Sequence, residues 1–130
     1  MSLVSRLTSV ITAIGAEVKN RITANHPGVA KAWVCFGYIN NAIQIQASFN
    51  VASVTRLSSG RYRITFATPF ADNQYCWVAM GRSNTATGTI RFAAARSTTD
   101  GKTESTLDIV CTTSAGVLAD STEINLVVFR

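Results

Sequence analysis

The chain has 130 residues, one domain's worth of material, and 47% of them are hydrophobic against 15% charged, a charge fraction well below the usual ~25% and suited to a protein that hides surface in an assembly. Its net charge of +5 comes from 12 Lys and Arg against 7 Asp and Glu, scattered from Arg6 to Arg130 without the clustered basic run of a nucleic-acid-binding tail. That scatter argues against a nucleic-acid partner but leaves open attraction to an anionic cell surface, and the lack of any run near ~18 consecutive apolar residues excludes a membrane-spanning helix.

In chain order, the first 22 residues carry a heptad stripe that never recurs. Val4, Ile11 and Val18 fill one core position and Leu7 and Ile14 the other, so the apolar spacing alternates three and four, the seam of a coiled coil. Leu3 and Val10 widen it. β-Branched residues at the first position, with Leu and Ile mixed at the second, favour more than two strands and predict a parallel homotrimer. The next core slot falls on Arg21, where the seam degrades, and Ala24-Asn25-His26-Pro27-Gly28 ends the helix. The residue before Pro is pushed out of the α region, and Gly frees the turn.

The sequence thus divides into an oligomerisation helix over 1–24, a linker over 25–30 and a β domain over 31–130. About three turns of seam are marginal for a free-standing coil, so the trimer needs help from the β domain or from a docking partner. The alternative is an amphipathic helix folded back on its own β domain. A helix lying on a membrane is disfavoured, because the polar face is mostly Ser and Thr and the apolar face lacks Trp and Phe. Ser, Thr and Arg interrupt this segment too often for a signal peptide, which predicts a chain made in the cytoplasm.

From residue 30 onward the text breaks into strand-sized pieces, expected near 31–39, 42–47, 49–57, 61–68, 74–82, 88–97, 104–112 and 122–130. This pattern predicts a mainly β fold, an antiparallel β-sandwich of jelly-roll kind. Ser58-Ser59-Gly60 reads as a hairpin turn, followed by a strand with Tyr62, Ile64 and Phe66 on one face and Arg61, Arg63 and Thr65 on the other. Tyr75-Cys76-Trp77-Val78-Ala79-Met80 is apolar on both faces, so that strand must be central or covered by a neighbouring subunit. Cys35, Cys76 and Cys111 all fall in apolar strand text, and an odd count without Cys-x-x-Cys spacing argues against a disulfide framework or a zinc site. They are expected to be buried thiols.

Four pieces occur in order: Ala32-Trp33-Val34-Cys35-Phe36, Ser48-Phe49-Asn50-Val51-Ala52-Ser53-Val54-Thr55, Gly60-Arg61-Tyr62-Arg63-Ile64-Thr65-Phe66 and Asp72-Asn73-Gln74-Tyr75. Together they resemble a β module recurrent in bacteriophage tail proteins. Ser5-Arg6-Leu7 followed by Ala13-Ile14-Gly15-Ala16-Glu17-Val18-Lys19 is similar to a leader found on phage virion proteins. The resemblance spans roughly residues 3 to 82. It departs at Cys35, which replaces a usually polar residue, and at Gly37-Tyr38-Ile39-Asn40-Asn41, which stands where a Gly-rich segment is usual.

The resemblance implies a virion component made in the bacterial host cytoplasm: a short homotrimeric tail fibre or receptor-binding protein. Its partners would be other virion tail proteins and a host cell-surface glycan or protein. A purely structural virion protein, such as a tail adaptor or capsid decoration fibre, is the alternative. A carbohydrate-binding module outside any virus is the third reading, and it would need an exposed aromatic platform.

Catalytic chemistry is not legible. The single His26 sits in the linker, expected in solvent; convergence of three copies on a trimer axis, holding a metal or anion, is the alternative. The acids form no close pair suited to divided acid and base roles, and Glu104 and Asp108, four apart, are expected on one strand face in water. Phosphate loops and nucleophile elbows are absent, so neither enzymatic activity nor a cofactor is expected. Contact regions are sought in the polar loops 81–88, 97–103 and 113–116, with Arg82, Asn84, Asp100 and Lys102 as receptor contacts; the first and third loops are expected to cluster at one end.

Overall fold

A computed structural model describes residues 2–83 and 89–130. Helix α1 runs over Leu3–Arg21. Ser2 caps it by accepting from the Ser5 amide at 3.2 Å, which satisfies one of the free N–H groups of the first turn. Thr8, Ser9 and Thr12 bond back to carbonyls four residues earlier at 2.8–3.0 Å, so the polar face meets its own hydrogen-bonding needs. Lys19 and Arg21 in the last turn suit the negative end of the helix dipole. In the linker the His26 Nδ1 accepts from the Gly28 amide at 3.0 Å, and the Lys31 ammonium donates to the Ala24 and His26 carbonyls, tying the linker to the first strand.

Eight strands follow: β1 (Ala30–Ile39), β2 (Ala42–Phe49), β3 (Val51–Ser58), β4 (Arg61–Phe66), β5 (Cys76–Arg82), β6 (Arg91–Ala94), β7 (Thr106–Thr113) and β8 (Glu123–Phe129). All ladders are antiparallel. The order is β2-β1-β8-β5-β6-β7-β4-β3. The antiparallel, mainly β expectation holds, but these ladders form one continuous sheet, curled nearly into a barrel, where the strand text predicts two stacked sheets of jelly-roll kind. The joint between the halves is the single pair Gly81–Arg91. A Cβ at Gly81 would stand 3.0 Å from that of Arg91 and 3.3 Å from the Cys111 sulfur, so the close approach of β5 and β6 depends on glycine.

β2 and β3 are consecutive in the chain yet form the two edges of the sheet, linked by Asn50 alone. Asn50 takes a positive φ of 53°, which Asn tolerates better than most residues. Its side-chain amide donates to the Lys31 carbonyl at 3.1 Å and the Thr68 carbonyl at 3.2 Å, and its oxygen accepts from the Thr68 amide at 2.7 Å. One side chain therefore spans the meeting of the two edges.

Inward-facing residues of β1, β4, β7 and β8 fill the core, among them Val34, Phe36, Tyr62, Ile64, Ile109, Ile124 and Val128. Phe36 of β1 meets Tyr62 of β4 edge to face at 5.3 Å between ring centres, a favoured aromatic geometry. In β4 the alternation is the expected one, with Tyr62, Ile64 and Phe66 buried. Two expectations are corrected. Asp108 is buried rather than in water, held by the Arg63 guanidinium at 2.7 and 2.8 Å, because β4 and β7 pair Arg63 opposite Asp108. Cys111 is a buried thiol, but Cys35 is only partly buried and Cys76 is exposed.

The ladders also sort the connections between two ends. At the helix end lie the linker, Asn50, the segment 67–75 and the C-terminal Arg130; at the opposite end, the tip, lie the Asn40-Asn41 and Ser59-Gly60 turns, Arg82, Arg91 and residues 114–122, while the segment 95–105 runs back along β7 from Ala94, opposite Val110, to Lys102, opposite Leu107.

Candidate functional site

Two apolar surfaces and one braced loop end are the features with functional potential. On α1 every seam residue is open to solvent, Ile11 at 62% and Ile14 at 59% exposure, and the helix buries no residue. The alternative of a helix folded back on its own sheet is therefore not what this chain adopts. A stripe of Val4, Leu7, Ile11, Ile14 and Val18 in water carries an unfavourable transfer free energy of the order that burial would recover, ~25 cal/mol per Å².

The second surface is the outer face of β1, β8 and β5. Strand register sets Phe49, Trp33, Val127 and Val78 in one row across β2, β1, β8 and β5. The next row is Ala47, Cys35, Asn125 and Met80. Phe49, Trp33, Val78 and Met80 are all exposed. Between the β1 and β5 side chains runs a shallow trough of about 360 Å³ over Val127 and Asn125. The two-faced apolar text of the fifth strand is thus explained on one side only: Trp77 and Ala79 pack against the core, while Cys76, Val78 and Met80 stand in solvent.

The tip is braced by Asp120. Its carboxylate accepts from the Arg56 guanidinium at 3.0 and 2.8 Å, from the Tyr62 hydroxyl at 2.7 Å and from the Gly60 amide at 3.0 Å. Arg56 in turn lies 4.4 Å over the Tyr38 ring. Burial raises the Asp120 pKa, but the bonds from Arg56, Gly60 and Tyr62 outweigh it and hold the carboxyl down at about 2. The buried Tyr62 hydroxyl is pushed up, by desolvation first and by Asp120 second. In the segment between β6 and β7 the Asp100 carboxyl is held at about 2, chiefly by Arg96, with Arg61 adding to it against a desolvation penalty. Both Asp pKa values lie below the ordinary value of about 4, so the stability they supply is complete above that pH and is lost as pH falls through about 2. Allowing for screening by water, each contributes on the order of 1 kcal/mol. Denaturant titrations should give constant stability from pH 7 to 5 and a progressive loss between pH 4 and 2; a flat profile to pH 2 would contradict these assignments.

The four receptor candidates do not converge. Arg82 lies at the tip, its side chain mostly exposed and 3.5 Å from Glu123. Asn84 lies outside the described residues. Lys102 is at the helix end, its ammonium on the Tyr75 carbonyl and 4.6 Å from the Tyr75 ring centre, roughly 20 Å from Arg82 along β5 at ~3.3 Å per residue. Asp100 has a side chain only 1% exposed and committed to Arg61 and Arg96, so it organises its loop rather than offering itself to an outside partner. Loop 113–116 does share the tip with the residues flanking 84–88. Sequence reasoning missed the Asp120 brace, which joins residues about sixty apart, and the Trp33–Phe49 row, whose only trace was the two-faced apolar strand.

Among the described residues no group of three or more His, Cys, Asp or Glu is placed to hold a metal ion, and no helix is long and apolar enough to cross a membrane. Comparison of the chain with protein-family models, with curated proteins and with solved structures finds no match.

Proposed function

We propose that the chain is a bacteriophage virion component, a short homotrimeric tail fibre whose helices form a parallel coiled coil on the particle side and whose β domains carry host-contacting loops outward. The observation that carries this reading is the seam from Val4 to Val18, left wholly open by its own chain, at the end of the β domain opposite the tip loops. The resemblance of the Ala32–Phe36, Ser48–Thr55, Gly60–Phe66 and Asp72–Tyr75 pieces to phage tail modules supplies the setting. Trimerisation would let three weak tip contacts act together, raising avidity by roughly 10²-fold or more.

The position of Lys102 favours a second reading beside it. It sits at the helix end, so a contact made there would face the particle, as in a purely structural virion protein. Labelled full-length protein, mixed with a panel of bacterial strains, should bind at least one strain and lose at least tenfold in apparent affinity when the seam is broken. Binding to virion proteins with none to any strain would replace the fibre by the structural reading.

A further inference from the structure

We infer that the outer face of β1, β8 and β5 is a second contact between copies, the trough of one β domain covered by the β domain of a neighbour in the same oligomer. This rests on the helix-driven assembly proposed above and adds to it a surface that the helix does not need.

Three observations carry it. First, area: scaled by its residues' exposures, the outer face offers on the order of 500 Å² of apolar surface, and a stable interface of roughly 800 Å² per partner is only a little over half apolar. The face is therefore large enough to make a stable contact in its own right. Second, continuity: β1 starts directly after the linker, and the Lys31 bonds to the Ala24 and His26 carbonyls shorten the tether. Three β domains hung from one parallel coil on such tethers are held close around its axis. Third, chemistry: the face presents Trp33, Cys35, Val78, Met80 and Val127 with Asn125 as its polar member, and the charges flanking it are the Arg82–Glu123 pair at its tip edge and Lys31, two residues before Trp33, at its helix edge. Met80, 70% exposed, is a flexible apolar knob of a size to enter a neighbour's trough.

The full chain, the helix variant Ile11→Asp/Ile14→Asp and the face variant Val78→Glu/Met80→Glu should be compared by sedimentation equilibrium over a wide concentration range. The face variant should keep the circular dichroism of its β domain, because both side chains point to solvent in the single chain, while its assembly dissociates at a concentration at least tenfold higher than wild type. Met80→Lys, a milder change at an exposed position, gives a second test should the double variant fail to fold. A face variant that assembles like wild type overturns the inference and leaves the helix reading standing. A face variant that is monomeric while the helix variant still assembles supports the inference and removes the helix reading. Wild type that is monomeric throughout overturns both. Trp33-dependent fluorescence that remains solvent-exposed in the oligomer yet shifts on adding cellohexaose overturns the inference in favour of a sugar platform.

Discussion

Replacing Ile11 and Ile14 with Asp should reduce the assembly to single chains. In a parallel trimer each substitution would place three carboxylates around the axis, and burying an unpaired charge costs several kcal/mol where it is not relieved by a partner. Two such layers should raise the dissociation constant by on the order of 10³-fold or more, each factor of ten corresponding to about 1.4 kcal/mol. The same positions are open to solvent in the lone chain, so the β domain should keep its circular dichroism and a cooperative unfolding transition. Loss of mass without loss of fold is the signature of an assembly element. A double variant of unchanged mass would remove α1 from that role.

Asp120→Ala should be far more damaging to the β domain than the loss of an exposed ion pair. It strips the partner from Arg56, leaves the buried Tyr62 hydroxyl without its acceptor, and frees the Gly60 amide at the β3–β4 turn. Breaking a partly buried, charge-assisted network of this kind costs about 3 kcal/mol, a fall in Tm on the order of 10 °C for a domain of about 100 residues. Asp120→Asn keeps an acceptor for Tyr62 and should lose about half as much. Glu17→Ala, which breaks an exposed pair with Arg21 on the helix, should change stability by less than about 0.5 kcal/mol. Thermal melts of the three variants would rank them; an Asp120→Ala domain as stable as Glu17→Ala would mean that the tip is held by something other than this carboxylate.

What could be read in advance was local. The heptad spacing from Val4 to Val18 gave α1 to within about three residues at its end, and alternation gave all eight strands, including the buried triad Tyr62, Ile64 and Phe66. The errors share one cause, since each depends on which strands become neighbours. Asp108 reads as a solvated acid until β4 is laid beside β7 and Arg63 lands opposite it. Asp100 reads as an exposed loop acid until Arg61, thirty-nine residues earlier, reaches it. Of the sixth strand expected at 88–97, whose first residue lies outside the described residues, Arg91–Ala94 forms, the four residues that pair with β7 and of which only Arg91 pairs with β5. Cys76 reads as buried until its strand is seen to turn that side outward.

The same limit applies to the candidate site. Periodicity could flag a greasy strand and a greasy helix, but only the register brings Phe49, Trp33, Val127 and Val78 into one row. The receptor candidates were chosen for polarity and loop position, and polarity does not distinguish an acid that faces a partner from one already held by two arginines. The resemblance to phage tail modules rests on strand and turn residues such as Trp33, Tyr62 and Phe66, which build the sheet and leave the chemistry of the tip unspecified.

Light scattering on the purified full-length chain, coupled to size-exclusion chromatography at micromolar concentration, bears most directly on the proposal that the open seam is a meeting surface for identical helices. A mass of about 42 kDa, three times that of the 13.9 kDa chain, is the expected result. A mass near 14 kDa across the accessible concentration range would contradict it.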